Sequence, residues 1–202
     1  SSDLKTDLEK IRTREPGLIG IDDIYHGAVC IPLIGSGDSY DILFEVRSEA
    51  IKGQPGDVCL PGGKVEEGEF PEDAAVRECC EELLISKEQI RIIGPSDIFH
   101  RETTIIYPYV GELNGYQGTF SEAEVARTFT VPLKFFMETD PEIYCIDSKV
   151  SPGDDFPYER IQGGKNYKWR SRTIEELFYE YNGTTIWGLT ARVINSFIRI
   201  IR

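Results

Sequence analysis

The sequence is short of histidine, short of positive charge and without a long apolar run. Its two histidines, His26 and His100, stand far apart. A zinc site wants clustered Cys and His, so zinc is not the expected metal. The five cysteines are odd in number and show no paired spacing. Cys79 and Cys80 are neighbours inside an expected helix, a poor geometry for a mutual disulfide, while Cys30, Cys59 and Cys145 sit in apolar, strand-like runs. Reduced, mostly buried thiols in a cytoplasmic protein are therefore expected. Lys and Arg number 22 against 35 Asp and Glu, a formal net charge of −13. Such a surface repels nucleic-acid backbones, which argues against DNA or RNA as a partner. An anionic small molecule would need cations or a local basic patch to offset the field. No apolar run reaches bilayer length, and Ser1–Lys5 has none of the features of a signal peptide, so no membrane partner is expected. Internal repeats and low-complexity tracts are also missing.

What is present suits one compact domain over residues 1–202, since 40% of the chain is hydrophobic and 28% charged. Leu4, Leu8 and Ile11 recur at helical spacing and predict a short amphipathic helix over residues 3–13, ended by Glu15-Pro16-Gly17. Ala28–Ile34 and Tyr40–Val46 predict a hairpin closed by the turn Gly35-Ser36-Gly37-Asp38. Gly53–Gly63 reads as a loop with a short extended piece at Val58-Cys59-Leu60. Pro71–Leu84 predicts a helix with Pro71 in its first turn and an apolar stripe of Ala74, Ala75, Cys79 and Leu83. Ile90–Phe99 and Thr104–Leu113 predict strands. Ser121–Ala126 reads as a polar connection before a short strand or turn at Thr128–Val131, and Pro132 opens a helix. Ile143–Ile146 reads as a strand, Ser151–Lys165 as loop, and Asn182-Gly183 as a turn. A C-terminal helix over residues 186–201 is predicted from Leu189, Val193, Phe197 and Ile200, with Thr185 as N-cap, packed on the core. The irregular mixture predicts an α/β (α+β) fold, a sandwich of helices around a mixed β-sheet, not a Rossmann fold.

The chemistry concentrates in Gly63–Ile85. On a helix, Glu78 and Glu82 share a face and Glu81 lies beside them. Three carboxylates so close repel one another unless a cation intervenes, and hard cations such as Mg²⁺ or Mn²⁺ prefer oxygen ligands of this kind. Glycines ahead of the helix let the backbone approach a ligand. Arg77 is placed to orient the cluster, with Glu69 as its upstream carboxylate. Glu66, Glu67 and Glu72 read as ordinary solvated charge.

These positions resemble the Nudix box, in which Gly, Glu, Arg-Glu, Glu-Glu and an aliphatic residue recur at fixed spacing. Gly63, Glu69, Arg77, Glu78, Glu81, Glu82 and Ile85 fall in register. Cys79 stands for an aliphatic residue, and Leu84 for a glycine that normally helps end the helix, so a longer helix or an altered exit is expected there. Upstream, Leu43, Phe44, Arg47, Ser48, Gly56, Pro61, Gly62 and Gly63 are similar to the additional motif of the coenzyme A pyrophosphatase subfamily. Glu45 replaces Thr there, Lys52 replaces Arg, and Leu60 replaces Phe. Ile186–Ala191 resembles that subfamily's C-terminal helix.

The resemblance implies a Nudix-type α/β/α sandwich and an enzyme, a Mg²⁺- or Mn²⁺-dependent diphosphatase. Its substrate would be coenzyme A or an acyl-coenzyme A, cleaved to 4′-phosphopantetheine (or its acyl form) and adenosine 3′,5′-bisphosphate. It implies Glu78 and Glu82 as metal ligands, Glu81 as ligand or base, and Arg77 as the orienting residue. Glu124 is a general base or extra ligand, with Glu122 competing for the role. Arg47, Lys52, Gly62 and Gly63 are the substrate-binding candidates. ADP-ribose, a nucleotide sugar or NADH is the alternative substrate, and a catalytically silent ligand-binding domain the alternative of another class. A homodimer is left open.

Overall fold

A computed structural model describes residues 4–17, 19–37 and 39–202. The N-terminal helix α1 (Leu4–Glu9) is shorter than expected, and Lys10–Thr13 is a turn. A six-residue helix has little intrinsic stability, and its apolar residues stay exposed, as do Leu8 and Ile11 around its end. Asp3 of the expected helix, all of Ser1–Asp3, and Asp38 of the expected turn lie outside the described residues.

Strand β1 (Tyr25–Ser36) pairs antiparallel with β2 (Ser39–Arg47), as the alternating apolar pattern predicts. The glycine-rich loop then yields two short strands. One is the expected β3 (Val58–Cys59); the other, β4 (Gly62–Lys64), starts within the expected loop Gly53–Gly63. Helix α2 (Pro71–Leu83) follows, with Pro71 in its first turn and Glu72 and Asp73 facing the positive end of the helix dipole. The helix is not prolonged. Leu84 itself takes the left-handed conformation, φ 51°, that closes it.

Beyond α2 lie β5 (Ile90–Pro95), β6 (Phe99–Arg101) and β7 (Thr104–Leu113), so the first of the two expected strands is split. Strand β8 (Val125–Pro132) begins earlier than expected and takes in part of the expected polar connection. It leads into α3 (Leu133–Glu138). Strands β9 (Glu142–Ser148), β10 (Arg172–Tyr181) and β11 (Thr184–Trp187) precede α4 (Gly188–Ile201). The last helix therefore starts after Trp187, and Thr185 is a strand residue, not its cap.

Among the described residues, eight strands form one mixed sheet, with β3, β2, β1, β7 and β5 in order; β8 joins β2, β4 joins β1, and β6 joins β7. The β1–β7 pair is parallel and the others antiparallel. A second antiparallel sheet runs β11-β10-β9.

Alternation sets the two faces of the main sheet. Cys30 and Leu43 point to α2 and pack with Cys79 and Leu83, and Ala28 meets Ala74 and Ala75. Ile31, Ile42 and Phe44 point the other way, into a larger core with Phe136 of α3 and Ile194, Phe197 and Ile198 of α4. The expected α/β/α sandwich is thus the observed one. Leu177, Tyr179 and Ile186 join that larger core, so the small sheet is not a detached arm. Val193 and Phe197 are buried as expected, whereas Leu189 and Ile200 are exposed and Ala191, Ile194 and Ile198 take their place. Cys30 and Cys79 are buried, Cys145 is exposed, and all five cysteines are free thiols.

Candidate active site

Strand β4 brings the glycines to the site. Gly62 and Gly63 lie against Val29 and Ala28 of β1. A Cβ on Gly62 would come within 2.4 Å of the Ala28 carbonyl oxygen, and one on Gly63 within 2.4 Å of the Glu78 carboxyl. Real side chains never approach so closely. The pair is glycine because a strand lies flat on one side and a carboxylate on the other.

Arg77 ties the loop to the helix. Its Nε donates to Glu69 Oε1 at 2.9 Å and its Nη2 to Glu69 Oε2 at 3.1 Å, a forked contact only a guanidinium makes. Nη2 also donates to the Lys64 carbonyl at 3.1 Å, and Nη1 to Glu78 at 2.7 Å and Glu81 at 3.4 Å. The hydrogen bonds from Arg77 hold the Glu69 carboxyl below the usual carboxylate range, and reciprocally Glu69 raises the Arg77 pKa. Arg77 thus contacts Glu69, Glu78 and Glu81 together. Glu81 is mostly exposed and turned to Arg77.

Glu82 behaves differently. It is 6% exposed, and its Oε2 accepts the Gly62 N–H at 2.8 Å. Its carboxyl also meets that of Glu45 on β2, which is 1% exposed and whose Oε1 has no hydrogen-bond partner. Burial and then the charge of Glu82 push the Glu45 carboxyl upward, and burial with the charges of Glu78 and Glu124 raises that of Glu82 against the Gly62 N–H, which lowers it. Burial likewise pushes the neighbouring Cys59 thiol up to about 12. From the sequence, Glu45 is noted only as standing in place of a Thr and is assigned no role. The signal was present: a carboxylate in the middle of Ile42-Leu43-Phe44-Glu45-Val46, where an unpaired charge does not belong.

A cleft of about 690 Å³ opens beside Gly62 and Gly63. Arg47, at the end of β2, lines it and donates from Nε to the Gly53 carbonyl at 2.9 Å. Val29, Leu60, Leu189 and Val193 give it an apolar wall. Arg101, not singled out in the sequence, lines it too and is paired with buried Glu176. Lys52 is exposed and is not among the lining residues. Glu124 is exposed, and its charge acts on both Glu45 and Glu82; its carbonyl accepts the Ser48 N–H at 2.8 Å, which anchors its turn beside β2. Glu122 presents its carbonyl to Ser48 Oγ.

The donor set fits a hard divalent cation. Glu45, Glu78 and Glu82 offer the oxygen ligands such an ion takes, and the charge of Arg47 acts on both Glu45 and Glu82. Among the described residues, no three acidic, His or Cys side chains stand close enough together to hold a metal ion, and Arg77 pairs with Glu78 and Glu81.

A mixed-sheet sandwich carrying a glycine strand, a Glu–Arg clasp and an acidic helix defines a class of protein that the comparisons identify. A NUDIX domain model matches residues 24–142. The chain is 31% identical over 149 residues to a peroxisomal coenzyme A diphosphatase of Mus musculus, covering 69% of this chain and 62% of that protein. A peroxisomal coenzyme A diphosphatase of Caenorhabditis elegans is 34% identical over 127 residues, 57% of this chain and 54% of that one. An uncharacterized Nudix hydrolase of Enterobacter is 32% identical over 181 residues, 83% of this chain and 78% of that one. A crystal structure of a MutT/nudix family protein from Enterococcus faecalis shares the fold, with a TM-score of 0.50 at 15% identity over 100% of this chain and 70% of that one. The chain belongs to the Nudix hydrolase family. It spans 62% and 53% of the lengths of two of its curated relatives, the mouse enzyme and a C. elegans Nudix hydrolase.

Proposed function

We propose that this protein hydrolyses the diphosphate linkage of a nucleoside diphosphate-linked small molecule, and that the molecule is coenzyme A or an acyl-coenzyme A. The observation that carries the reaction type is the shared strand: Gly62 lines the cleft and also donates its N–H to the buried carboxylate Glu82. A diphosphate in the cleft would lie against the strand that binds Glu82 on its other side, although the helix carboxylates themselves do not line the cleft. The substrate rests on the upstream motif, on Arg47 in the cleft wall, and on two relatives named as coenzyme A diphosphatases.

Glu78 and Glu82 would hold Mg²⁺ or Mn²⁺ in this reading, with Glu81 as ligand or base. A bound cation there neutralises phosphoryl oxygen charge and lowers the pKa of water. Arg77 keeps Glu78 and Glu81 oriented from the opposite side. Glu124 or Glu81 is the base that takes the proton from the attacking water, with Glu122 competing for the role of Glu124. Arg47 meets an anionic group of the substrate. Water adds to one phosphorus and the other phosphate leaves as a monoester, giving 4′-phosphopantetheine and adenosine 3′,5′-bisphosphate. The cytoplasm is the proposed compartment, supported by five free thiols, and the peroxisome is the alternative raised by the names of two relatives.

The test is a substrate panel of coenzyme A, acyl-coenzyme A, ADP-ribose, NADH and a nucleotide sugar with Mg²⁺ or Mn²⁺, products identified by mass. Preferential cleavage of a coenzyme A species is expected. Faster cleavage of ADP-ribose or another member overturns the substrate, and binding without turnover overturns the enzyme.

A further inference from the structure

We propose that Glu45 is a cation ligand of this site, added from the sheet to the carboxylates of α2. The proposal rests on the reading above that the acidic cluster holds a divalent cation. It goes beyond that reading because Glu45 lies outside the loop–helix segment that carries the family's acidic pattern.

Three observations support it. First, position: Glu45 shares the α2-facing side of β2 with Leu43, and it is 1% exposed. The charge therefore points into the layer that holds Glu82, not to solvent. Second, company: its carboxyl meets that of Glu82, and Glu124 bears on both. Third, an unmet demand: Glu45 Oε1 has no hydrogen-bond partner. The nearby guanidinium, that of Arg47, has its Nε committed to the Gly53 carbonyl. An ionised carboxylate buried without a partner is strongly unfavourable, and two in contact are worse. A hard cation bridging Glu45 and Glu82 satisfies both, since such ions accept several carboxylate oxygens at once.

The probe is Mn²⁺ alone, titrated into the full chain and followed by electron paramagnetic resonance and by thermal melting. Glu45→Gln is expected to weaken Mn²⁺ binding about tenfold or more, as loss of groups around a metal does. Its metal-free melting temperature is expected at or above that of the wild type, and its gain on adding Mn²⁺ to be smaller. Glu82→Gln serves as the comparison. If Glu82→Gln loses affinity and Glu45→Gln keeps it, the assignment of Glu45 is overturned while the cation site stands. If the wild type binds no Mn²⁺, the cation site falls and the assignment with it. Should Glu45→Gln fail to fold, wild-type crystals soaked in Mn²⁺ decide: anomalous density within bonding distance of a Glu45 oxygen supports the proposal, and density that Glu45 does not reach overturns it.

Discussion

At the scale of single residues, the clasp between Glu69 and Arg77 sets the geometry around the acidic helix. Glu69 keeps a depressed pKa in the folded chain, so its contribution to stability is present above the ordinary carboxylate range and is lost as pH falls through the folded value. Glu69→Gln is therefore expected to melt below the wild type at pH 7, with the gap closing as the pH drops toward 3. Melting curves across that range check it, and a gap independent of pH contradicts the pairing. Gly63 has a different role, since a methyl group there overlaps the Glu78 carboxyl. Gly63→Ala is expected to cost about 1–3 kcal/mol of stability through overpacking and to weaken Mn²⁺ binding; denaturant melts and a metal titration check both. The glycine, Glu69, Arg77 and the helix carboxylates were legible in the sequence because they lie in one contiguous segment with fixed spacing. Glu45 was not, because its partner Glu82 is brought to it only when α2 packs on β2. Glu124 and its competitor Glu122 share one polar turn, and both present a carbonyl to Ser48.

At the scale of elements, helix α2 ends at an unusual place. Leu84 sits in the left-handed region that favours glycine, and its side chain is 60% exposed. The strain of an L side chain there is about 1–2 kcal/mol, and little packing is forfeited on removing it. Leu84→Gly is thus expected to stabilise the protein by about 1 kcal/mol, read as a higher denaturation midpoint with unchanged slope. The sequence pattern identified where most elements lie but blurred their edges. Gly62 and Gly63 looked like loop because two glycines carry no alternation, yet they pair with β1 since their bareness allows close approach. The apolar run at Ile186 was assigned to the helix, although the Asn182-Gly183 turn commits it to a hairpin with β10.

At the scale of the whole molecule, two cores flank one mixed sheet, and the thiols divide between them and the surface. Cys145 is exposed, whereas Cys30 and Cys79 are buried. A native thiol titration is expected to modify Cys145 rapidly and to leave Cys30 and Cys79 unmodified until the chain unfolds. Rapid native labelling of Cys79 would contradict the packing of α2 on the sheet. The net charge of −13 spans the whole surface, yet the cleft itself brings Arg47 and Arg101 to its walls. Asp57, Glu102 and Glu176 line the same cleft and Glu176 pairs with Arg101, so the walls are not basic on balance.

The central claim is that buried Glu82 works with a divalent cation on a diphosphate at this cleft. Its most direct test is the rate of coenzyme A cleavage by wild type and Glu82→Gln under saturating Mg²⁺, alongside circular dichroism of both. The account predicts about a hundredfold loss of turnover or more with the fold intact. Undiminished turnover in Glu82→Gln would contradict it.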